Sequence, residues 1–387
     1  MRVIVADDDA LQRKFTSAVL TKLGHEALEV PDGLSALRAV RETDAAAIIC
    51  DINMPGMDGL QVAREVRALN LPRYVHFIIV TGRDHLENRR AALEAGVDDF
   101  MAKPFDFATM TARLRAAERL AAHESVLSER NRTLQLAKER IESDLQAAAR
   151  AQHRLLPPAI GRSGPCEVHS AFRPSSIVSG DMFNYFDLPG NRMGFYVIDV
   201  AGHGINAALL SVSLSHLITP EYFASLGIAP DGQPDPAALV AALNRRFLHD
   251  DGDEYFTMFC GVIDFDASRL CYCQAGYTTP MHLSAEGRLT QIGNGGFPVA
   301  LWPRADFVNE TASFARGDRL LLCSDGACEA ENPAGEPFGQ DRLEAVFRTA
   351  AEAEVTPLLL SALEAWRAGA PLEDDLTILT LKRNPAP

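Results

Sequence analysis

The chain lacks any apolar run approaching the ~20 residues a bilayer-spanning helix needs, and it is short of basic charge. Its 37 lysines and arginines stand against 52 aspartates and glutamates, a formal charge of −15. A protein that tracks the phosphate backbone of nucleic acid needs the opposite balance, so broad nucleic-acid binding is excluded. Cysteines are few and poorly spaced for metal: Cys50, Cys166, Cys260, Cys271, Cys273, Cys323 and Cys328 form no CxxC pair. Buried free thiols in a reducing compartment are the expectation. The first residues, MRVIVADDDA, carry no signal-peptide pattern and enter a strand directly. A cytoplasmic chain with no membrane partner is therefore expected. Proline and glycine are missing between about residues 106 and 155, where Ala, Leu, Glu, Arg and Gln dominate. That absence excludes a loop-rich linker and predicts one long helix.

What remains has the composition of a globular protein, 47% hydrophobic and 23% charged. At 387 residues the chain is too long for a single ordinary core. Through residue 110, short apolar runs at 2–6, 46–50 and 77–81 and half-polar runs at 25–30 and 98–102 read as strands. Helical patterns at 10–23, 33–42, 58–69 and 85–95 separate them. This alternation predicts a five-stranded, doubly wound parallel sheet, with polar chemistry at the carboxyl ends of its strands. In the long helix Leu120, Leu127, Leu134, Ile141, Ala148 and Leu155 recur every seven residues. The second seam, Glu124, Asn131, Lys138, Leu145 and Gln152, is mostly polar. A weakly stable dimeric coiled coil fits this pattern, and a single helix packed on its own domains is the alternative. Leu155-Leu156-Pro157-Pro158 ends the helix. Beyond residue 165, apolar runs at 193–200, 255–264, 270–276 and 318–326, with helical stretches at 203–223, 236–249 and 340–367, predict an α+β sandwich. The expected domains are 1–118, a helical linker 119–157, and 158–387.

Four polar features fall at strand ends in the first domain: Asp7-Asp8, Asp51, Thr81 and Lys103. Clustered carboxylates repel unless a hard cation lies among them, and Mg2+ suits oxygen ligands. Asp8 and Asp51, with Asp7 beside them and a backbone carbonyl near Asn53, are expected to hold that ion. The ion would neutralise incoming phosphoryl oxygens while the Asp51 carboxylate attacks in line. Lys103 would supply positive charge and Thr81 a hydroxyl donor. The motifs DDD, DINMPGMDG, VTG and KPF, in this order, resemble the response-regulator receiver family. That resemblance implies phosphorylation of Asp51 by a sensor histidine kinase, and makes Thr81 and Phe100 the switch residues, with Lys103 beside them.

A second acidic constellation follows residue 165: Asp181 in VSGDMF, Asp199 in VIDVAGHG, Asp325 in LLCSDGACE, and Asp374-Asp375 in LEDDLTIL. Carboxylates at strand ends are costly unless hydrated or metal-bound. Gly180, Gly202, Gly204 and Gly326 beside them allow close backbone approach. All-oxygen ligands favour Mn2+ or Mg2+ over zinc, and two such ions about 3.5–4 Å apart can clamp a phosphoryl group for in-line displacement. VSGDMF, DVAGHG, SDG and DDLT in order resemble the bacterial PPM-type Ser/Thr phosphatases of the sporulation and stress-response branch, and QHRLLP at 152–157 resembles the segment leading into those domains. The resemblance implies a catalytic metal set of Asp181, Asp199, Asp325 and Asp374, with the Val200 carbonyl as a further ligand and Asp375 as a neighbour of undivided role. Asn184 replaces an acidic residue that many members carry. His203 is read as a loop histidine that caps a helix or orients a ligand, and Cys323 as core packing.

These features lead to a response regulator whose receiver governs a metal-dependent protein phosphatase. The resemblance implies a phosphorylated STAS-type anti-sigma-factor antagonist as substrate, and the linker implies a homodimer. A phosphatase-like scaffold that binds a partner without hydrolysis is the alternative. A DNA-binding regulator is disfavoured, because no basic helix-turn-helix follows the receiver.

Overall fold

The computed structural model describes residues 1–387 except 70, 72, 83–88, 203, 249–253, 350–354 and 385–387. The chain divides into two compact units, Met1–Arg140 and Ile141–Pro387.

In the first unit β1 (Arg2–Ala6), α1 (Ala10–Lys22), β2 (Glu26–Val30), α2 (Gly33–Glu42), β3 (Ala47–Asp51), α3 (Gly59–Ala68), β4 (His76–Thr81), α4 (Arg89–Glu94) and β5 (Asp99–Ala102) alternate as expected. The sheet is wholly parallel, in the order β2-β1-β3-β4-β5. Both its faces are covered, which is why β1, β3 and β4 are apolar without alternation. Ile4, Ile48 and Phe77 pack against α2 and α3, whereas Val3, Ile49 and Ile78 pack with Leu20, Met110, Leu114 and Ala117. The first part of the predicted 85–95 helix lies outside the described residues.

Helix α5 (Phe107–His153) is one element of 47 residues, close to the expected extent. Its first turns bury Met110, Leu114 and Ala117 in the receiver core. Leu120, Leu127, Leu134 and Ile141 are each more than half exposed.

The second unit continues with β6 (Ile160–Ser163), β7 (Cys166–Arg173), β8 (Met182–Leu188), β9 (Arg192–Val200), α6 (Ile205–Leu217), α7 (Pro220–Gly227), α8 (Pro236–Phe247), β10 (Phe256–Asp264), β11 (Arg269–Ala275), β12 (Met281–Leu283), β13 (Leu289–Gln291), β14 (Glu310–Ser313), β15 (Arg319–Cys323), α9 (Asp325–Glu329), α10 (Gly339–Thr349), α11 (Val355–Arg367) and β16 (Leu376–Arg383). Two antiparallel sheets, β14-β11-β10-β9-β8 and β13-β12-β15-β16-β7-β6, stack face to face. Phe183, Phe195, Phe259, Leu322 and Leu379 fill the space between them. Tyr196, Ile198 and Cys260 point the other way, under α6 and α8, while Leu321 and Ile378 lie under α10 and α11. Each central strand is thus buried on both faces, the expected helix-flanked sandwich.

Two helical stretches are broken where the sequence reading ran them together. The stretch at 203–223 splits because Thr219 caps a new helix with Pro220 in its first turn. The stretch at 340–367 likewise contains α10 and α11. The run at 318–326 is strand only to Cys323, since Asp325 already opens α9.

Candidate functional site

In the receiver, the turn after β1 is fixed by its own aspartates. Asp9 caps α1 by accepting from the Leu11 and Gln12 N–H groups. The Asp9 N–H donates to Asp7 Oδ1 at 2.9 Å, and Arg13 Nη1 donates to the Asp7 carbonyl at 2.6 Å. β3 delivers Asp51 to the same edge, and one oxygen from each of Asp7, Asp8 and Asp51 lies within 4.8 Å of the other two. Three carboxylates that close suit a hard divalent cation. Lys103, just past β5, places Nζ 2.9 Å from Asp7 Oδ2 and 3.0 Å from Asp51 Oδ2. Burial raises the Asp51 carboxyl above its ordinary range, against the opposing pull of Lys103. Thr81 is buried at the end of β4, Asn53 is exposed two residues past Asp51, and Phe100 packs half-buried against the α2–α3 core. Gly59 is required for close approach: a Cβ there would lie 2.4 Å from the Asp51 carbonyl oxygen.

In the second unit, pairing brings Asp181, Asp199, Asp325 and Asp374 to one end of the sandwich. Asp181 immediately precedes β8, Asp199 and Val200 close β9, Asp325 follows β15 and Asp374 precedes β16. β8 pairs with β9, and β15 pairs with β16. Glycines allow the backbones to meet. A Cβ on Gly180 would lie 2.9 Å from the Val200 carbonyl oxygen, and one on Gly326 would lie 2.3 Å from that of Asp375. His203 lies outside the described residues.

The electrostatics of this end are uncompensated. Asp181 is 1% exposed, and among the described residues the Thr377 hydroxyl is the side chain that favours its ionised form, although it lies outside good hydrogen-bond geometry. Burial first, and then the charge of Asp199, raise its carboxyl well above the ordinary value. Asp199 is pushed up to about 7 by burial and by the charges of Asp325 and Asp374. Asp325 is raised by burial and by Asp374. A buried carboxylate among like charges is the chemistry of a cation site. By charge and burial the residues suit divalent ions, but more loosely than the receiver trio: among the described residues only Asp7, Asp8 and Asp51 bring three ligating oxygens within 4.8 Å of one another.

Asp375 differs from its neighbour. Its Oδ1 accepts from the Ser175 N–H at 2.7 Å and the Ser175 hydroxyl at 2.9 Å. Its Oδ2 accepts from the Ser179 hydroxyl at 2.6 Å and the Gly180 N–H at 2.8 Å. Four bonds thus tie Asp375 to the loop that ends in Asp181.

Gln152, in the last turn of α5, reaches the same loop. Its Nε2 donates to the Ser179 carbonyl at 2.6 Å and to the Ser211 hydroxyl of α6 at 2.8 Å, while its Oε1 accepts from the Ser179 N–H at 3.2 Å. Gln152 is 3% exposed, a buried polar residue on an otherwise solvated stretch of helix. The run QHRLLP carries no local sign of this partner. Tyr277, which no local motif marks, has a buried hydroxyl without a partner among the described residues, and burial and then the charge of Asp181 oppose its ionisation. Asn184 faces Tyr196 across the β8–β9 ladder, and its Oδ1 accepts from the Tyr185 N–H at 2.8 Å.

Comparison with known proteins places both units. Stage II sporulation protein E (SpoIIE) matches residues 189–384, and the response regulator receiver domain matches residues 3–115. Protein IcfG of Synechocystis sp. is 26% identical over 266 residues, covering 62% of this chain and 42% of IcfG. The transcriptional regulatory protein PrrA of Mycobacterium tuberculosis is 38% identical over 115 residues, 30% of this chain and 48% of PrrA. The chain therefore spans less than half the length of these curated relatives. Among solved structures, the SiaA-PP2C domain of Pseudomonas aeruginosa superposes with a TM-score of 0.55 at 20% identity, covering 64% of this chain and 98% of that domain. That likeness bears on the fold of the second unit. No helix among the described residues is long and apolar enough to cross a membrane.

Proposed function

We infer that this chain, which belongs to the Stage II sporulation protein E (SpoIIE) family and carries a response regulator receiver domain, is a protein Ser/Thr phosphatase controlled through phosphorylation of Asp51. The observation that carries the reading is the buried Asp181 carboxylate set among the charges of Asp199, Asp325 and Asp375. Four carboxylates arranged so are costly in a binding module and useful only where cations are held. When bound, two Mn2+ or Mg2+ ions supply charge neutralisation and an activated water for attack on a phosphate monoester. Asp181, Asp199, Asp325, Asp374 and the Val200 carbonyl hold them. Asp375 does a different job: with both oxygens taken by Ser175, Ser179 and Gly180, it positions the loop bearing Asp181.

In the receiver, Asp51 is the nucleophile toward a phosphohistidine donor on a sensor kinase, and Mg2+ fits among Asp7, Asp8 and Asp51, with the Asn53 carbonyl beside them. Lys103 leaves Asp7 and Asp51 to meet the phosphoryl oxygens. Thr81 and Phe100 carry the change to the surface next to α5. The domain boundaries that serve this division are 1–118, 119–157 and 158–387. The exposed seam Leu120, Leu127, Leu134 and Ile141 supports a homodimer through α5. A STAS-type anti-sigma-factor antagonist phosphorylated on serine is the proposed substrate, in keeping with the sporulation-family motifs, and the cytoplasm is the proposed location.

The test is release of phosphate from a phosphoserine peptide and from a phosphorylated STAS protein with Mn2+, alongside Asp374→Asn. Release that needs Mn2+ and is lost in the variant is expected. Release that survives the substitution overturns the site, and binding of the STAS protein without release under any condition favours the scaffold.

A further inference from the structure

The loop between β13 and β14, residues 292–309, exposes several large apolar side chains close together in sequence. Phe297, Leu301 and Trp302 are 56%, 46% and 57% exposed. Surface leucines scattered singly need no explanation, but a clustered Phe, Leu and Trp mark an interaction surface.

The backbone beneath them is fixed. Gly295 donates to Gln274 Oε1 at 2.7 Å and accepts from the Gly276 N–H at 3.1 Å. Val299 and Phe256 exchange hydrogen bonds of 3.1 and 2.8 Å. The Ala300 N–H donates to Asn244 Oδ1 at 2.8 Å, and Asn244 Nδ2 donates to the Trp302 carbonyl at 3.2 Å. Ala300 itself sits at φ 67°, a left-handed conformation that costs a residue with a Cβ about 1 kcal/mol. A loop held by so many bonds, with its apolar side chains turned outward, presents a rigid ridge and not a stretch of chain awaiting a core.

Its place in the fold says what covers it. Phe256 pairs with Val200 on one side and Val299 on the other. Two strand spacings put Val299 about 10 Å from Val200, which closes the strand bearing Asp199. Gln291, the last residue of β13 before the loop, lines a cavity of about 340 Å³ together with Thr278, Asp325, Glu329 and Gln340. The backbone of the loop at Val299 and this cavity therefore lie at the end of the sandwich that carries Asp199 and Asp325. A phosphoserine or phosphothreonine side chain reaches only a few ångströms from its backbone. A folded protein that inserts one must lay its own surface on whatever surrounds the site.

We propose that Phe297, Leu301 and Trp302 form the docking ridge for the folded body of the phosphoprotein substrate, with the cavity beside Asp325 receiving the residues that flank the phosphorylated one. This rests on the phosphatase reading given above. Aromatic anchors of this kind dominate protein interfaces, so the ridge sets KM for a folded substrate and not the chemical step.

The experiment compares wild type with the double variant Phe297→Ser, Trp302→Ser on two substrates, p-nitrophenyl phosphate and a serine-phosphorylated STAS-domain protein. A KM at least tenfold higher for the phosphoprotein, with kcat and p-nitrophenyl phosphate turnover within twofold, is expected. Unchanged KM for the phosphoprotein, or a parallel loss on both substrates, overturns the proposal. Binding of the same phosphoprotein to Asp374→Asn, with and without the ridge substitutions, decides the matter apart from turnover. If no substrate is hydrolysed the phosphatase reading fails, yet tenfold weaker binding still supports the ridge and equal binding still refutes it. Sedimentation completes the set: loss of self-association in the double variant with phosphoprotein affinity unchanged makes the ridge a contact between copies of this chain.

Discussion

The receiver trio and the phosphatase quartet are both carboxylate clusters at strand ends, but they balance their charge differently. Asp7 and Asp51 share Lys103, whose Nζ lies within 3.0 Å of an oxygen of each. The quartet has no such internal cation: no described lysine or arginine forms an ion pair with Asp181, Asp199, Asp325 or Asp374. The first site thus carries an internal counter-charge, and on the proposed reading the second would depend on ions to keep its carboxylates ionised.

The largest test of that difference is Asp181→Asn. Phosphatase turnover should fall by about 10³-fold or more, in line with loss of a metal ligand's charge in a site built for electrostatic stabilisation. Burial and Asp199 push the Asp181 carboxyl toward its neutral form, so in chelator the same change relieves a strained charge only as pH rises, and the melting temperature of the second unit should be unchanged or higher. A fall in that temperature argues that Asp181 is already compensated and breaks the comparison. In the receiver, Asp51→Asn should abolish acid-labile labelling by acetyl phosphate while leaving p-nitrophenyl phosphate hydrolysis intact. Labelling that persists identifies another acceptor.

A smaller effect sharpens the contrast through pH. Asp199 titrates at about 7 in the metal-free protein, raised by burial and by Asp325 and Asp374. An unfolded aspartate titrates near 3.9. A carboxyl raised on folding contributes stability that is present below its unfolded value and lost as pH rises through the folded one. The metal-free second unit should therefore lose stability between about pH 4 and 7. Mn2+ binds the ionised form, so the gap in melting temperature between Mn2+-loaded and chelated protein should widen from pH 5.5 to 8, by about 5–10 °C. A gap that is flat across this range means the quartet does not titrate as a coupled group.

How much of this was legible in the sequence follows from the range of the interactions. The receiver sheet could be read because each strand announces itself locally, as RVIVA and FIIVT do, and because its site residues sit one per strand end. The quartet could be read as acidic motifs beside glycines, but not its internal division. That Asp375 is saturated by Ser175 and Ser179 depends on pairing between residues about two hundred positions apart, which no local pattern encodes. Strands β12, β13 and β14, of three or four residues, carry too little periodicity to stand out. The break between α6 and α7 was written in Thr219-Pro220, a cap and a first-turn proline, and was missed because the apolar pattern runs across it.

The smallest expected effect tests whether phosphorylation at Asp51 is felt at the quartet. Gln152 stands on a helix whose mid-section is exposed, yet its amide is buried and makes three hydrogen bonds to Ser179 and Ser211. Ser179 in turn donates to Asp375, and two residues later comes Asp181. If α5 turns or slides, Gln152 is a side chain through which it would act on the loop holding a proposed metal ligand. Gln152→Ala removes that handle and leaves the Ser179 carbonyl, the Ser179 N–H and the Ser211 hydroxyl each with one partner fewer, a cost of about 1–3 kcal/mol in stability. Its effect on catalysis should be read in the Mn2+ concentration giving half-maximal activity, which should shift by about tenfold at saturating peptide with kcat changed less. The sharper readout is regulation. In wild type, acetyl phosphate should move that Mn2+ concentration in one direction or the other. In Gln152→Ala the movement should shrink toward zero, although Asp51 is labelled as before. If the response to acetyl phosphate is undiminished, the signal from Asp51 reaches the quartet by a path other than the end of α5, and the coupling drawn from these three bonds is wrong.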